Sequence, residues 1–83
     1  MAAPSPVQPF YLVVTDQDRG VFSVEGPMTD AGPWNNAAAY ARSHQRGIEC
    51  GPSGPDRDAL AAEHREAHKL TGVPPGSIIR PRP

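Results

Sequence analysis

Phe10-Tyr11-Leu12-Val13-Val14-Thr15, then Asp16-Gln17-Asp18-Arg19-Gly20, then Val21-Phe22-Ser23-Val24-Glu25: this stretch decides the fold. Two runs of β-branched and aromatic residues flank a polar turn whose glycine can take positive φ, which reads as a β-hairpin over residues 10–25. Alternation puts Phe10, Leu12 and Val14 on one face of the first strand, and Phe22 and Val24 on one face of the second. Those five are expected to form the innermost core. Tyr11 and Val13 make the opposite face apolar as well, so that face should also be covered.

Outward from the hairpin, the breakers divide the chain. Residues 1–9 hold three prolines and no periodicity, and read as a disordered lead-in. Gly26-Pro27 should end the hairpin. Pro33 suits the first turn of a helix from about Trp34 to Gln45, stopped by Gly47. Trp34, Ala37, Ala41 and His44 fall on one side of that helix, and Ile48-Glu49-Cys50 follows as a short strand. After the breaker cluster Gly51-Pro52-Ser53-Gly54-Pro55, a second helix should run from about Asp56 to Leu70, capped by Ser53 or Gly54 and stopped by Gly72. Ser77-Ile78-Ile79-Arg80 reads as a short final strand, and residues 81–83 as a frayed tail. The expectation is a single small α+β domain over residues 10–80, in ββαβαβ order, with two helices packed on a small mixed sheet.

Composition narrows the function classes. The chain has 83 residues, and alanines supply 11 of its apolar side chains. Apart from Met1 and Cys50, 18 large apolar or aromatic side chains remain for the core. Chains this short often recruit a metal, a disulfide or a partner. One cysteine excludes an internal disulfide and fits a reducing, cytoplasmic setting. No apolar run suits a signal peptide or a membrane span. Nine acids against eight bases give a net charge of −1, which argues against nucleic acid as a partner. Seven arginines against one lysine, with 11 prolines and 8 glycines, fit a GC-rich bacterial genome. Individual arginines and prolines therefore carry little weight as recognition signals.

Cys50-Gly51-Pro52-Ser53 is the stretch with most chemistry in it. If a strand delivers Cys50 into a glycine-rich loop before a helix, backbone N–H groups and the helix dipole favour a thiolate or a bound anion. Cys50, Ser53, Gly54 and Arg57 are the candidate thiol or anion site. The tetrapeptide resembles a monothiol version of the thioredoxin-type Cys-Gly-Pro-Cys motif, although no aromatic residue flanks it here. Cys50 and Arg57 are also similar to the cysteine phosphatase loop, with one residue more between them and Glu49 where those enzymes carry histidine. An adjacent acid disfavours the thiolate. A half-buried cysteine ending a strand is the plainer expectation, with slow reaction at neutral pH.

His64 and His68 stand four apart on the second helix, so both can reach one ion. His-Arg-Glu-Ala-His is not the zinc-protease spacing, and a closed zinc site would need His44 or Cys50 to converge on the pair. Two solvated histidines on a helix flank are the expectation, with no metal and no cofactor. Ala59, Leu60, Ala67 and Leu70 define the expected apolar stripe of that helix, with Glu63 in its middle. Glu63 should then pair, reach the stripe's edge or face a partner. His44 is expected as a core or boundary histidine. Asp16–Gly20 lacks the glycine and the downstream acid of a calcium loop, and reads as a hairpin turn.

No nucleophile, base and orienting group assemble from these residues. The leading expectation is a small non-catalytic protein working by protein–protein contact or self-association. A homodimer through the hairpin edge or the Tyr11/Val13 face is one form of it. Tyr11, Val13, Trp34 and Glu63 are the candidate interaction residues. The alternative is a thiol or anion-binding site centred on Cys50.

Overall fold

The hairpin forms, and its turn length decides what each face carries. In a computed structural model describing residues 8–81, β1 (Phe10–Asp16) and β2 (Val21–Met28) pair antiparallel, with Val13 opposite Val24, Val14 opposite Ser23 and Thr15 opposite Phe22. Odd residues of β1 therefore share a face with even residues of β2. This corrects the expected core: Phe22 and Val24 lie with Val13, not with Leu12 and Val14. Phe10 is only half-buried. Residues 1–7 of the expected lead-in and 82–83 of the expected tail lie outside the described residues.

The remaining elements are α1 (Gly32–Arg42), β3 (Ile48–Gly54), α2 (Arg57–Glu66) and β4 (Thr71–Gly72). The sheet runs β3-β1-β2-β4, antiparallel at its first two pairings and parallel between β2 and β4. The fold is α+β with a mixed sheet, and each sheet face takes one helix. Val13, Phe22 and Val24 pack with Leu60 of α2, flanked by Tyr11, Ala61 and Leu70. Val14 and Ile48 pack with Ala38 of α1 and with Ile79, flanked by Trp34, Ala37, Ala41, Cys50 and Ile78. Alanine along α1 lets that helix lie close to the sheet. Val13 and Val14 are fully buried on opposite faces. Burying such a side chain contributes about 1.5–3 kcal/mol.

Both neighbours of β1 bulge, and each does so at a Gly-Pro pair. Tyr11 faces Gly26-Pro27 between the pairs Phe10–Met28 and Leu12–Glu25. Val13 faces Gly51-Pro52 between the pairs Leu12–Ser53 and Val14–Cys50. Two residues opposite one is a β-bulge, which admits a proline that cannot donate to the ladder. Both peptide bonds are cis, and Gly26 and Gly51 have φ of 133° and 112°. So Gly26-Pro27 does not end the hairpin, and β3 continues to Gly54 instead of stopping at Cys50.

The helices are shorter than expected. Pro33 does sit in the first turn of α1, but the helix ends at Arg42. The cap of α2 is Asp56, whose carboxylate accepts the Ala59 N–H at 3.0 Å, in place of Ser53 or Gly54. That helix stops at Glu66, and Lys69 turns the chain out with φ of 57°. Thr71 and Val73 then donate to the Gly20 and Phe22 carbonyls, which makes the final strand Thr71–Gly72. Ser77–Arg80 is not a strand. Prolines at 74, 75 and 81 deprive that segment of donors, and it crosses the α1 face with Ile79 buried. No helix among the described residues is long and apolar enough to cross a membrane.

Candidate functional site

Cys50 lies opposite Val14 on β3, packed among the side chains under α1. Its Sγ–H donates to the Trp34 carbonyl at 3.5 Å. Burial pushes the thiol up from its ordinary value, Glu49 and Glu25 push the same way, and only Arg42 opposes them. The glycine-rich loop expected beyond Cys50 is strand: Ser53 pairs with Leu12 and Gly54 with Tyr11. Arg57 is exposed at the first residue of α2. Cys50, Ser53, Gly54 and Arg57 thus lack the loop-before-helix arrangement on which the anion-site expectation was built. The cause is the bulge, which absorbs Gly51-Pro52 inside the ladder.

The interaction candidates separate as well. Val13 is wholly buried beneath α2, so the Tyr11/Val13 face is covered by this chain itself. Tyr11 is half-buried at the rim of that cluster. Trp34 is half-buried on the other face, its carbonyl holding Cys50. Glu63 is exposed. The stripe of α2 is rotated from the expected one: Leu60 and His64 are buried, whereas Ala59 and Ala67 are exposed. Glu63 consequently stands on the solvent side. His44 falls beyond the end of α1, where it is exposed and meets Tyr40 edge-on at 5.5 Å between ring centres. It is not a core or boundary residue.

Two buried carboxylates hold the chain together. Asp16, 1% exposed at the end of β1, accepts from the Arg19 backbone N–H at 3.2 Å, Arg19 Nε at 2.8 Å and Gln45 Nε2 at 2.7 Å. Burial raises its pKa, but these hydrogen bonds and the Arg19 charge together win, so the carboxyl lies below its usual value. Glu25, 3% exposed on β2, accepts from Ser23 Oγ at 2.6 Å and takes the Gly76 N–H between its two oxygens at 3.1 and 2.8 Å. It pins the C-terminal segment across the α1 face.

Two concavities stand out among the described residues. One, of about 430 Å³, is lined by Thr15, Glu49, Gly51, His64, His68 and Leu70 among others. Against expectation His64 is not solvated. It is 3% exposed, its Nδ1 lies 3.0 Å from the Leu60 carbonyl, and its ring lies 5.7 Å from Phe22 and 4.8 Å from His68. His68 is exposed. The other is a groove of about 570 Å³ between α1 and the C-terminal segment, lined by Pro33, Asn36, Ala37, Tyr40, Ala41, Ile79 and Arg80. Tyr40, 63% exposed, is the one large exposed hydrophobic among the described residues.

Sequence reasoning missed Tyr40, Ile79, Asp16 and Glu25. Tyr40 lies off the alanine face of α1, and that displacement is itself a signal of an aromatic turned to solvent. Asp16 was visible only as turn chemistry, because its partner Gln45 is distant in sequence. Compared with family models, curated proteins and solved structures, the chain has no match.

Proposed function

We propose that this chain is a non-catalytic binding module that contacts a partner polypeptide through the groove between α1 and the C-terminal segment. The exposure of Tyr40 at that groove carries the reading. Tyrosine and arginine are enriched where proteins meet, and the groove sets Tyr40 and Arg80 around the small side chains of Ala37 and Ala41. Other surfaces compete poorly for this role. The Tyr11/Val13 face is covered, and β1 has neighbours on both edges. The most deeply buried carboxylates support a structural use, since Asp16 and Glu25 spend their oxygens on holding segments together. Cys50 supports it too, since its thiol is pushed away from the reactive thiolate. The arginine-rich, GC-rich composition favours a bacterial source, and the single cysteine a cytoplasmic one.

The test is site-specific photo-crosslinking in the expressing cell. A crosslinker at the exposed groove residue Asn36 should give a discrete protein adduct, which Tyr40→Ala abolishes. Sedimentation of the purified chain then tells a second copy from a different partner. Adducts that form from Glu63 on the solvent side of α2, and not from Asn36, would overturn the assignment.

A further inference from the structure

His64 lies in the last turn of α2 and His68 two residues beyond the helix end, not on the helix as expected, yet both line the 430 Å³ cleft on the α2 side of the sheet. Three observations distinguish the pair from histidines on an ordinary helix flank. First, His64 is buried, with Phe22 on one side, so its ring is held by packing. Second, its Nδ1 lies 3.0 Å from the Leu60 carbonyl, an acceptor, so Nδ1 carries the proton and Nε2 keeps the lone pair. A ring N–H given to a backbone carbonyl is the usual way a metal-ligating histidine is oriented and made more basic. Third, the ring separation is right for chelation. With a metal–nitrogen bond of about 2.1 Å and a ring nitrogen about 1.1 Å from its ring centre, two imidazoles on one ion at about 90–110° have centres about 4.5–5.2 Å apart. The observed separation is 4.8 Å.

We propose that His64 and His68 form a two-histidine site for a borderline divalent ion of the zinc, nickel and copper class. Among the described residues no set of three or more His, Cys, Asp and Glu side chains is placed to hold an ion. The protein therefore supplies two nitrogens and water supplies the rest. Neutral imidazole selects this class over calcium and magnesium, which prefer oxygen. An open two-ligand site also exchanges its ion, unlike the closed structural sites that are built into a fold. Glu49 lines the same cleft and adds negative charge near the ion, although it also lies 3.4 Å from Arg42.

Zinc chloride is the probe, titrated by calorimetry into the full, tag-free chain, with calcium chloride as the hard-ion control. Zinc should bind saturably at one ion per chain, and calcium should not. In a two-dimensional NMR titration the ring signals of His64 and His68 should move, and those of His44 should stay. His68→Ala should weaken zinc binding by at least about tenfold and leave the circular dichroism unchanged, because the side chain is exposed. His44→Ala should bind as the parent does. The NMR map keeps the proposal testable should a variant misfold. Absence of saturable zinc binding, unaltered affinity in His68→Ala, or ring shifts at His44 alone would overturn it.

Discussion

Replacing Asp16 by asparagine should remove most of the acid sensitivity of this fold. The native carboxyl titrates below its ordinary value of 3.8 because Arg19 and Gln45 hold its charged form. A group whose folded pKa is depressed adds stability that is fully present above the unfolded pKa, and that fades as pH falls towards the folded value. The window therefore opens near pH 4 and extends downward. The magnitude follows from the partners. Arg19 is 61% exposed, so its ion pair is screened and contributes little, at most about 1 kcal/mol. The bond from Gln45 ties the hairpin turn to the segment beyond α1 and ends on a carboxylate that is 1% exposed, which places it at about 1.5–3 kcal/mol. Asparagine keeps one acceptor oxygen but places a donor amide where the charge was, so a loss of about 1–3 kcal/mol at pH 7 is expected. In a domain of this size that lowers the melting temperature by roughly 4–8 °C per kcal/mol. Urea unfolding followed by circular dichroism between pH 7 and pH 2.5 provides the test. The parent should lose stability below about pH 4, and Asp16→Asn should begin lower and fall less steeply. A variant whose stability falls in parallel with the parent across that window would refute the reasoning, and would locate the acid sensitivity in another carboxylate.

Three further outcomes follow from the packing. Cys50 should react slowly with iodoacetamide at pH 7 and faster above its raised pKa, while Cys50→Ser folds normally; rapid alkylation below neutrality would contradict the burial and charge argument. Ile79→Ala should cost about 2–4 kcal/mol in denaturant unfolding, because Ile79 closes the cluster under α1 from a segment with no strand pairing of its own. Gly26→Ala and Gly51→Ala should differ, although both have positive φ. A Cβ at Gly26 would meet the Phe10 carbonyl oxygen at 2.8 Å, whereas at Gly51 it meets nothing within 4 Å. Both lose about 1–3 kcal/mol to backbone strain, and Gly26→Ala loses more, as thermal unfolding of the pair will show.

What was legible in the sequence was local. The hairpin could be read from β-branched alternation around Asp16–Gly20, and α1 from Pro33 and its alanines, because both signals lie within a few residues of the structure they cause. The failures share one origin, which is pairing at a distance. Alternation within a strand does not tell which face of its neighbour it joins, so it cannot separate Phe22 from Leu12; the turn length does that, by setting Phe22 opposite Thr15. Gly51-Pro52 reads as a loop because proline cannot donate, yet the ladder accommodates both residues as a bulge opposite Val13. His64 and Glu63 exchanged places because the stripe of α2 is set by where Phe22 and Leu60 meet, not by the alanines of the helix itself. The candidate site fared similarly. Cys50 was recognisable as half-buried, whereas the groove around Tyr40 depends on a C-terminal segment pinned by Glu25 from far along the chain.

The two bulges also bear on whether another strand can add to the sheet. β1 has both of its edges occupied, so strand addition to the sheet must use β3, the two-residue β4, or the part of β2 that β4 leaves uncovered. Both β2 and β3 carry a proline at the bulge, Pro27 on β2 and Pro52 on β3. Proline on an edge strand removes a donor, and a bulge twists the edge away from an incoming strand, which are two established ways of preventing edge-to-edge association. β4 covers only Val21 and Phe22 of β2, so without Pro27 the rest of that edge would present a continuous ladder. Backbone pairing is thereby discouraged on both sides of the sheet, while α2 closes one face and α1 with the C-terminal segment closes the other. The proposed partner contact is thereby left to side chains outside the sheet, and the groove lined by Ala37, Ala41, Tyr40 and Arg80 offers that proposal both apolar and polar groups.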